Sequence, residues 1–145
     1  MTTQLDTNVL TRLAQPTDPA HVTARAAVAK LQAAGRGPYI IPQNLYEFWA
    51  VATRPVANNG LGLTVPECHA EITRLRALFP LLPDAPTLLD VWESLVVTHD
   101  CKGKVAHDAR IVAAMQTHGI RDLLTFNTAD FARFAGITAI DPATV

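Results

Sequence analysis

The pattern of hydrophobic and polar positions along this chain alternates short apolar segments with longer stretches of helical periodicity. Short apolar segments bounded by glycine, proline, aspartate or asparagine are typical of buried strands. Four segments fit this description: Thr3–Leu5, 39–41, 123–126 and Thr138–Ile140. Because helical stretches separate them, the 145 residues are predicted to form a single α/β domain, with a short, mainly parallel central sheet flanked by helices.

Capping residues mark where several helices begin and end. Asp18 and Pro19 are predicted to be the N-cap and first-turn proline of a helix that stops at Gly35. Thr64 and Glu67 have the spacing of a capping box, so another helix is predicted from there to near residue 80. Further periodic stretches predict helices over residues 42–53, 88–98 and 105–118.

The overall charge argues against a protein that binds nucleic acid by charge alone. The chain has 12 Lys+Arg against 13 Asp+Glu and a formal net charge of -1, so it lacks a strong basic excess. A metal site partly answers this objection, because a bound divalent cation neutralises carboxylates and carries positive charge to a phosphate.

The two cysteines and the N-terminus indicate a cytoplasmic protein. Cys68 and Cys101 lie far apart without C-x-x-C spacing, so neither a zinc knuckle nor a redox pair is expected. The opening MTTQLDTNVL has no basic segment followed by an apolar one, and no apolar run reaches the ~18 residues of a bilayer span.

Asp6 is the first candidate for chemistry. It stands where the first strand gives way to a helix, and ligands of parallel sheets collect at such strand ends. An acid there is expected to face the crevice. A structural interpretation is also open, because Asp6 or Asn8 would be a good cap for a helix over residues 9–14.

Glu47 is the only charged residue of the segment 42–53, which is otherwise apolar almost all round. A lone buried carboxylate is costly unless it is paired, hydrogen-bonded or bound to a metal. The sequence therefore predicts a partner for Glu47. A metal ion and a salt bridge to Arg54 or Arg12 both fit.

Asp108 has the sharpest geometric argument. At about 100° per residue it shares the core-facing side of its helix with apolar residues, whereas His107 and Arg110 point away from the middle of that face. A carboxylate among core-facing positions needs a counter-charge, and a functional role is favoured over a structural salt bridge.

The segment after the third predicted strand offers a fourth polar group. Asn127 as N-cap, with Asp130 at the third helical position, gives an arrangement like a capping box. In the functional alternative, the Asn127 amide and Asp130 lie at the rim of the same crevice as the acids.

Three converging acids would need a cation. Carboxylates about 5 Å apart repel each other by about 3 kcal/mol per pair at an effective dielectric near 20. Oxygen ligands without an organised set of His or Cys favour Mg²⁺ or Mn²⁺ over Zn²⁺. Thr7, Asn8 and Thr125 are candidates for orienting the acids.

Four motifs carry a family resemblance: LDTNVL, YEFW, KVAHDARIVAAM and LLTFNTADF. In this order and at these intervals they resemble the PIN-domain nucleases, particularly the VapC-like toxins of type II toxin–antitoxin pairs, over nearly the whole chain. The resemblance implies a single PIN-like domain and an endoribonuclease that depends on Mg²⁺ or Mn²⁺. It also implies a homodimer, an RNA substrate and a small cognate antitoxin.

Matching motif to motif, Asp6, Glu47 and Asp108 take the metal-binding positions, and Asn127 completes the catalytic group. Many relatives carry an acid at the position of Asn127, although others carry Asn, so one firmly held metal is expected rather than two.

Two other functions stay open. One is a non-catalytic PIN-fold binding module whose acids form structural ion pairs. The other is a phosphohydrolase with Asp6 as a covalent nucleophile, although such enzymes usually carry a second acid where this chain has Asn8.

Overall fold

The structure is a computed structural model that describes residues 2–145. Within these residues the strands are β1 (Thr3–Leu5), β2 (Asp122–Leu124) and β3 (Thr138–Ile140). The helices are α1 (Thr7–Leu13), α2 (His21–Ala33), α3 (Pro42–Thr53), α4 (Val65–Leu78), α5 (Leu88–Thr98) and α6 (Val105–Thr117). Short 3-10 helices cover Val56–Asn58, Thr128–Phe131 and Pro142–Thr144.

The strands form one parallel sheet in the order β1-β2-β3. Thr3 lies opposite Asp122 in the first pair, and Asp122 lies opposite Thr138 in the second. Because all three strands run the same way, their carboxyl ends meet at one edge of the sheet. The predicted α/β class and parallel sheet are confirmed.

The strand predicted over residues 39–41 is wrong. Tyr39 forms an isolated bridge with Gln4, and Ile40 forms another with Leu81. This segment therefore makes two single-residue bridges, to different parts of the chain, instead of a continuous ladder. The flanking prolines, Pro38 and Pro42, have no N–H to donate, so the pairing cannot extend beyond residues 39–41 at either end.

Local capping explains where the helices begin. At α4 the capping box is confirmed, because Glu67 N donates to Thr64 Oγ1 (3.2 Å) and Thr64 N donates to Glu67 Oε1 (2.9 Å). At α2 the predicted N-cap is wrong. Asp18 accepts from Ala20 N (2.8 Å) and closes a turn ahead of the helix, which begins at His21.

The central strand divides the core into two parts. Leu124 packs with the cluster built mainly from α1, α2, α3 and α4, whereas the preceding Leu123 packs with the cluster of α5 and α6. Successive side chains of a strand point to opposite faces, so this division follows from the sheet itself. The carboxyl ends of β1 and β2 therefore emerge between two packed layers.

The cysteines and helix lengths agree with the sequence. Cys68 and Cys101 are both free thiols, the first buried and the second partly buried. Across residues 2–145, no helix combines the length and the apolar character that crossing a lipid bilayer requires.

Candidate active site

A cleft of about 690 Å³ opens at the carboxyl ends of β1 and β2. Asp6 directly follows β1, and the loop after β2 reaches the cleft from the other side. Its lining includes all the residues singled out in the sequence for the site: Asp6, Glu47, Asp108, Asn127 and the neighbouring Asp130. Residues from four separate parts of the chain thus face one space.

Asp6 is both a helix cap and part of the cleft. Its Oδ1 accepts from Thr7 N (2.7 Å) at the start of α1, and its Oδ2 accepts from Thr125 Oγ1 (2.8 Å). Burial is the main cause that raises the pKa of the Asp6 carboxyl. These hydrogen bonds oppose the rise, and the charges of Glu47 and Asp130 add to it. The two interpretations of Asp6 therefore hold together.

Asn8 ties the loop after β2 to the start of α1. Its Nδ2 donates to Asp6 Oδ2 (3.3 Å) and to Thr125 Oγ1 (3.2 Å), and its Oδ1 accepts from Phe126 N (3.3 Å). Strand β2 ends at Leu124, before the predicted end at residue 126, and the two released residues supply these contacts.

Glu47 is half-buried and is held by neutral donors. Thr7 Oγ1 donates to its Oε1 (2.8 Å), and Gln43 Nε2 donates to its Oε2 (3.4 Å). Among residues 2–145 it forms no salt bridge, so the pairing with Arg54 or Arg12 that was one sequence interpretation is wrong. Arg12 approaches Asp18 instead (3.8 Å).

Asp108 carries the largest electrostatic perturbation of the site. Burial is the first cause that raises the pKa of its carboxyl from 3.8 to about 6. The negative charges of Asp6 and Asp130 raise this pKa further, and Lys104 opposes them. The raised pKa indicates a carboxylate whose charge is poorly compensated within the protein.

His107 and Arg110 lie close to Asp108 on α6. His107, expected to point away from the core-facing side, is exposed and also lines the cleft. Arg110 is half-buried and pairs with Asp84 (3.0 Å).

The capping box predicted for Asn127 and Asp130 is wrong. Residues Thr128–Phe131 form a 3-10 helix, and the Asn127 side chain makes no capping bond to it. The N–H of Asn127, which Asp130 would hold in a capping box, donates to the Thr125 hydroxyl instead (3.0 Å). The Asn127 amide is exposed and lines the cleft, as the functional interpretation expected.

Basic residues share the cleft without neutralising its acids. Arg12, Arg54 and Lys104 belong to its lining. In the described chain, none of the salt bridges includes Asp6, Glu47, Asp108 or Asp130. The cleft therefore combines unpaired carboxylates with side chains that attract phosphate.

The donor set fits a hard divalent cation in its chemistry. Carboxylate oxygens are ligands that Mg²⁺ and Mn²⁺ prefer, and an uncompensated group of them gains from a cation. As the side chains stand within residues 2–145, no three His, Cys, Asp or Glu residues are arranged to hold a metal ion. Binding would thus require the acid side chains to turn toward one another.

Reasoning from the sequence missed Gln43. This residue is buried and donates to Glu47. Its only signal in the sequence is its position one helical turn before Glu47. The orienting roles expected of Thr7, Asn8 and Thr125 are supported by their hydrogen bonds to the acids.

No protein-family model matches this chain, and no match was found among curated proteins. Solved structures do match. VapBC-1 from nontypeable Haemophilus influenzae has a TM-score of 0.72 at 15% identity, with 98% of each chain covered. A toxin–antitoxin complex from Klebsiella pneumoniae has a TM-score of 0.65 at 24% identity, with 97% of this chain and 98% of that chain covered.

A third match is Mycobacterium tuberculosis VapC20, described as a toxin that cleaves the sarcin–ricin loop. Its TM-score is 0.59 at 21% identity, with 84% of this chain and 87% of that chain covered. The chain therefore has the fold of these toxin structures, and the likeness that the four motifs predicted is confirmed at the level of the fold.

Proposed function

We propose that this chain, which shares the fold of VapC toxins, is a divalent-metal-dependent endoribonuclease and the toxin of a toxin–antitoxin pair. The observation that carries the proposal is the set of acids around one cleft, Asp6, Glu47, Asp108 and Asp130, without a salt bridge to any of them in the described chain. The same fold in a toxin that cleaves RNA supports RNA as the substrate.

In this proposal Asp6 and Asp108 hold Mg²⁺ or Mn²⁺, and Glu47 does so directly or through water. The metal, when bound, polarises the phosphate and lowers the pKa of a water molecule. Thr7 contributes by orientation, because its backbone N–H holds Asp6 and its hydroxyl holds Glu47. Thr7 thus fixes two acids from separate parts of the chain, Asp6 at the N-cap of α1 and Glu47 on α3.

The remaining lining residues suit a phosphodiester substrate. Arg12, Arg54 and Lys104 offer charged donors for the phosphates that flank the cut bond. Asn127 offers an uncharged amide at the position where an acid would favour a second metal, so we propose one metal per site. Arg110, which is engaged with Asp84, is left out of this set.

A cognate antitoxin is the proposed protein partner. The solved structures with this fold include a toxin–antitoxin complex and VapBC-1. A small antitoxin that neutralises the chain, a homodimeric state and a cytoplasmic location belong to the same proposal.

The two other functions fit the contacts less well. A binding module with structural ion pairs would need cations on the acids, whereas Asp6 and Glu47 are held by hydroxyl, amide and backbone donors. Enzymes with a nucleophilic Asp usually carry a second acid two residues on, whereas this chain has Asn8 there, whose amide donates to Asp6 Oδ2 (3.3 Å).

Cleavage assays with RNA and DNA side by side test the proposal. Wild-type protein is expected to cut RNA with Mg²⁺ or Mn²⁺ and to stop in EDTA. Asp6→Asn and Asp108→Asn are expected to abolish cutting, whereas Asp90→Asn, the same change at an exposed site on α5, keeps it. Full activity in EDTA, or in both acid variants, would overturn the metal mechanism.

A further inference from the structure

A series of hydrogen bonds connects the surface to Glu47. It passes through Arg110 and Gln43, neither of which lines the cleft. Arg110 Nη2 pairs with Asp84 Oδ2 (3.0 Å), and Arg110 Nη1 donates to Gln43 Oε1 (3.0 Å). Gln43 Nε2 then donates to His107 O (2.9 Å) and to Glu47 Oε2 (3.4 Å). This series of hydrogen bonds joins α3 to the first turns of α6.

The chemistry of the neighbours fixes which way the Gln43 amide points. A guanidinium has only donors, so the Gln43 oxygen must face Arg110. The NH₂ group must then face the backbone oxygen of His107 and the carboxylate of Glu47, which only accept. A flipped amide would lose all three bonds. Since Gln43 is 4% exposed, water does not replace them.

We propose that Gln43 is a positioning residue for the metal site, with Arg110 as its anchor; this inference rests on the proposed function. Gln43 holds one oxygen of Glu47 while Thr7 holds the other, so the carboxylate is oriented before a metal arrives. By bonding the His107 carbonyl, Gln43 also fixes the spacing between Glu47 and the helix turn that carries Asp108.

Substitutions that remove the donor test this role. Gln43→Met keeps an unbranched side chain of similar length and a good helix former, but it cannot donate. Mn²⁺ binding, measured by electron paramagnetic resonance without RNA, is expected to weaken about 10- to 100-fold, as for other residues that orient metal ligands. Gln116→Met, the same change at an exposed position of α6, is the matched control and binds Mn²⁺ as wild type does.

Arg110→Met gives a second route that does not touch Gln43. It is expected to weaken Mn²⁺ binding less than Gln43→Met, and to add nothing in the Gln43→Met background, because the anchor acts through the amide. In RNA cleavage the variants need more metal for half-maximal rate, whereas KM for RNA is unchanged, since Gln43 does not line the cleft. Independent, additive effects of the two substitutions would show that Arg110 does not act through Gln43 and would overturn its role as the anchor.

The outcomes separate this inference from the proposed function. Wild-type Mn²⁺ affinity in folded Gln43→Met overturns the positioning role alone. If Gln43→Met does not fold, Arg110→Met decides: weaker Mn²⁺ binding by a variant that is fully folded at the assay temperature supports the role, and unchanged binding overturns it. A wild-type protein that neither binds Mn²⁺ nor cuts RNA overturns both proposals.

Discussion

The hydroxyl of Thr125 donates a 2.8 Å hydrogen bond to Oδ2 of Asp6, although 119 residues separate the two in the chain. The same hydroxyl accepts from the backbone N–H of Asn127 (3.0 Å). Thr125 thus connects Asp6, at the end of β1, with the loop that follows the neighbouring strand β2. Because Thr125 is fully buried, no water competes for these bonds.

Thr125→Val is therefore expected to lower stability and to weaken metal binding. The near-isosteric valine leaves the N–H of Asn127 without its partner and leaves Asp6 Oδ2 with only the longer bond from Asn8 (3.3 Å). A lost partner of a buried polar group costs about 1–3 kcal/mol. Urea unfolding and Mn²⁺ titration measure the two effects.

Thr3→Val is the matched control for this change. Thr3 is equally buried, and its hydroxyl has no hydrogen-bond partner among residues 2–145. Replacing it with valine is expected to leave stability unchanged or to raise it. Equal losses from both substitutions would show that the Thr125 hydroxyl makes no special contribution.

Asp108 is expected to make the stability of the metal-free protein depend on pH. Its pKa is raised to about 6 in the folded protein, mainly by burial, against an ordinary value of 3.8. Between these values the folded state binds more protons than the unfolded state, so the free energy of unfolding falls as the pH rises through this window. Above pH 6 it levels off.

Urea unfolding in EDTA across this pH window measures the effect. Asp108→Asn removes the titrating group, so the variant is expected to lose this part of the pH slope and to be more stable than wild type at neutral pH. The same slope in variant and wild type would contradict the assignment to Asp108.

Mg²⁺ or Mn²⁺ is expected to raise the melting temperature of the wild-type protein, because the folded state alone brings the acids to one cleft. A ligand present at roughly 100 times its Kd stabilises by about 2.7 kcal/mol. Differential scanning calorimetry with metal and with EDTA measures the increment, and Asp6→Asn should lose it. A wild-type melting temperature that is identical in metal and in EDTA argues against a bound cation.

Asn127→Asp tests how the uncharged side chain at this position limits metal binding in the cleft. A carboxylate at this position adds negative charge to the cleft, so Mn²⁺ is expected to bind about tenfold tighter, a gain of about 1.4 kcal/mol. Without metal, the variant should be less stable at neutral pH. Asn58→Asp makes the same charge change at an exposed position outside the cleft lining and should bind Mn²⁺ as wild type does.

The helices follow from the sequence where strong local signals agree. Helix α3 starts at Pro42, and α4 starts after the capping box of Thr64, both as predicted. The strand prediction for residues 39–41 is wrong because apolar residues indicate only that a segment is buried. A strand also needs neighbouring strands in register, and these exist only in the folded chain.

Only part of the site follows from local patterns. The face of α6 that carries Asp108 is readable from helical periodicity, but separations of 41 and 61 residues between the acids do not determine distances in space. Their convergence was inferred from the order of the four motifs. The contacts of Gln43 with Arg110 and with His107 join two helices and have no signal in the spacing of either.

The pairing of β1 with β2 also determines when the cleft can form. Thr3 lies opposite Asp122, so during synthesis the first strand leaves the ribosome long before its ladder partner exists. Contacts between distant parts of a chain form late in folding, because a long loop must close first. An incomplete nascent chain therefore has Asp6 and Glu47 but no assembled cleft. Under the proposed function, cutting of RNA then begins only when translation of the chain is nearly finished.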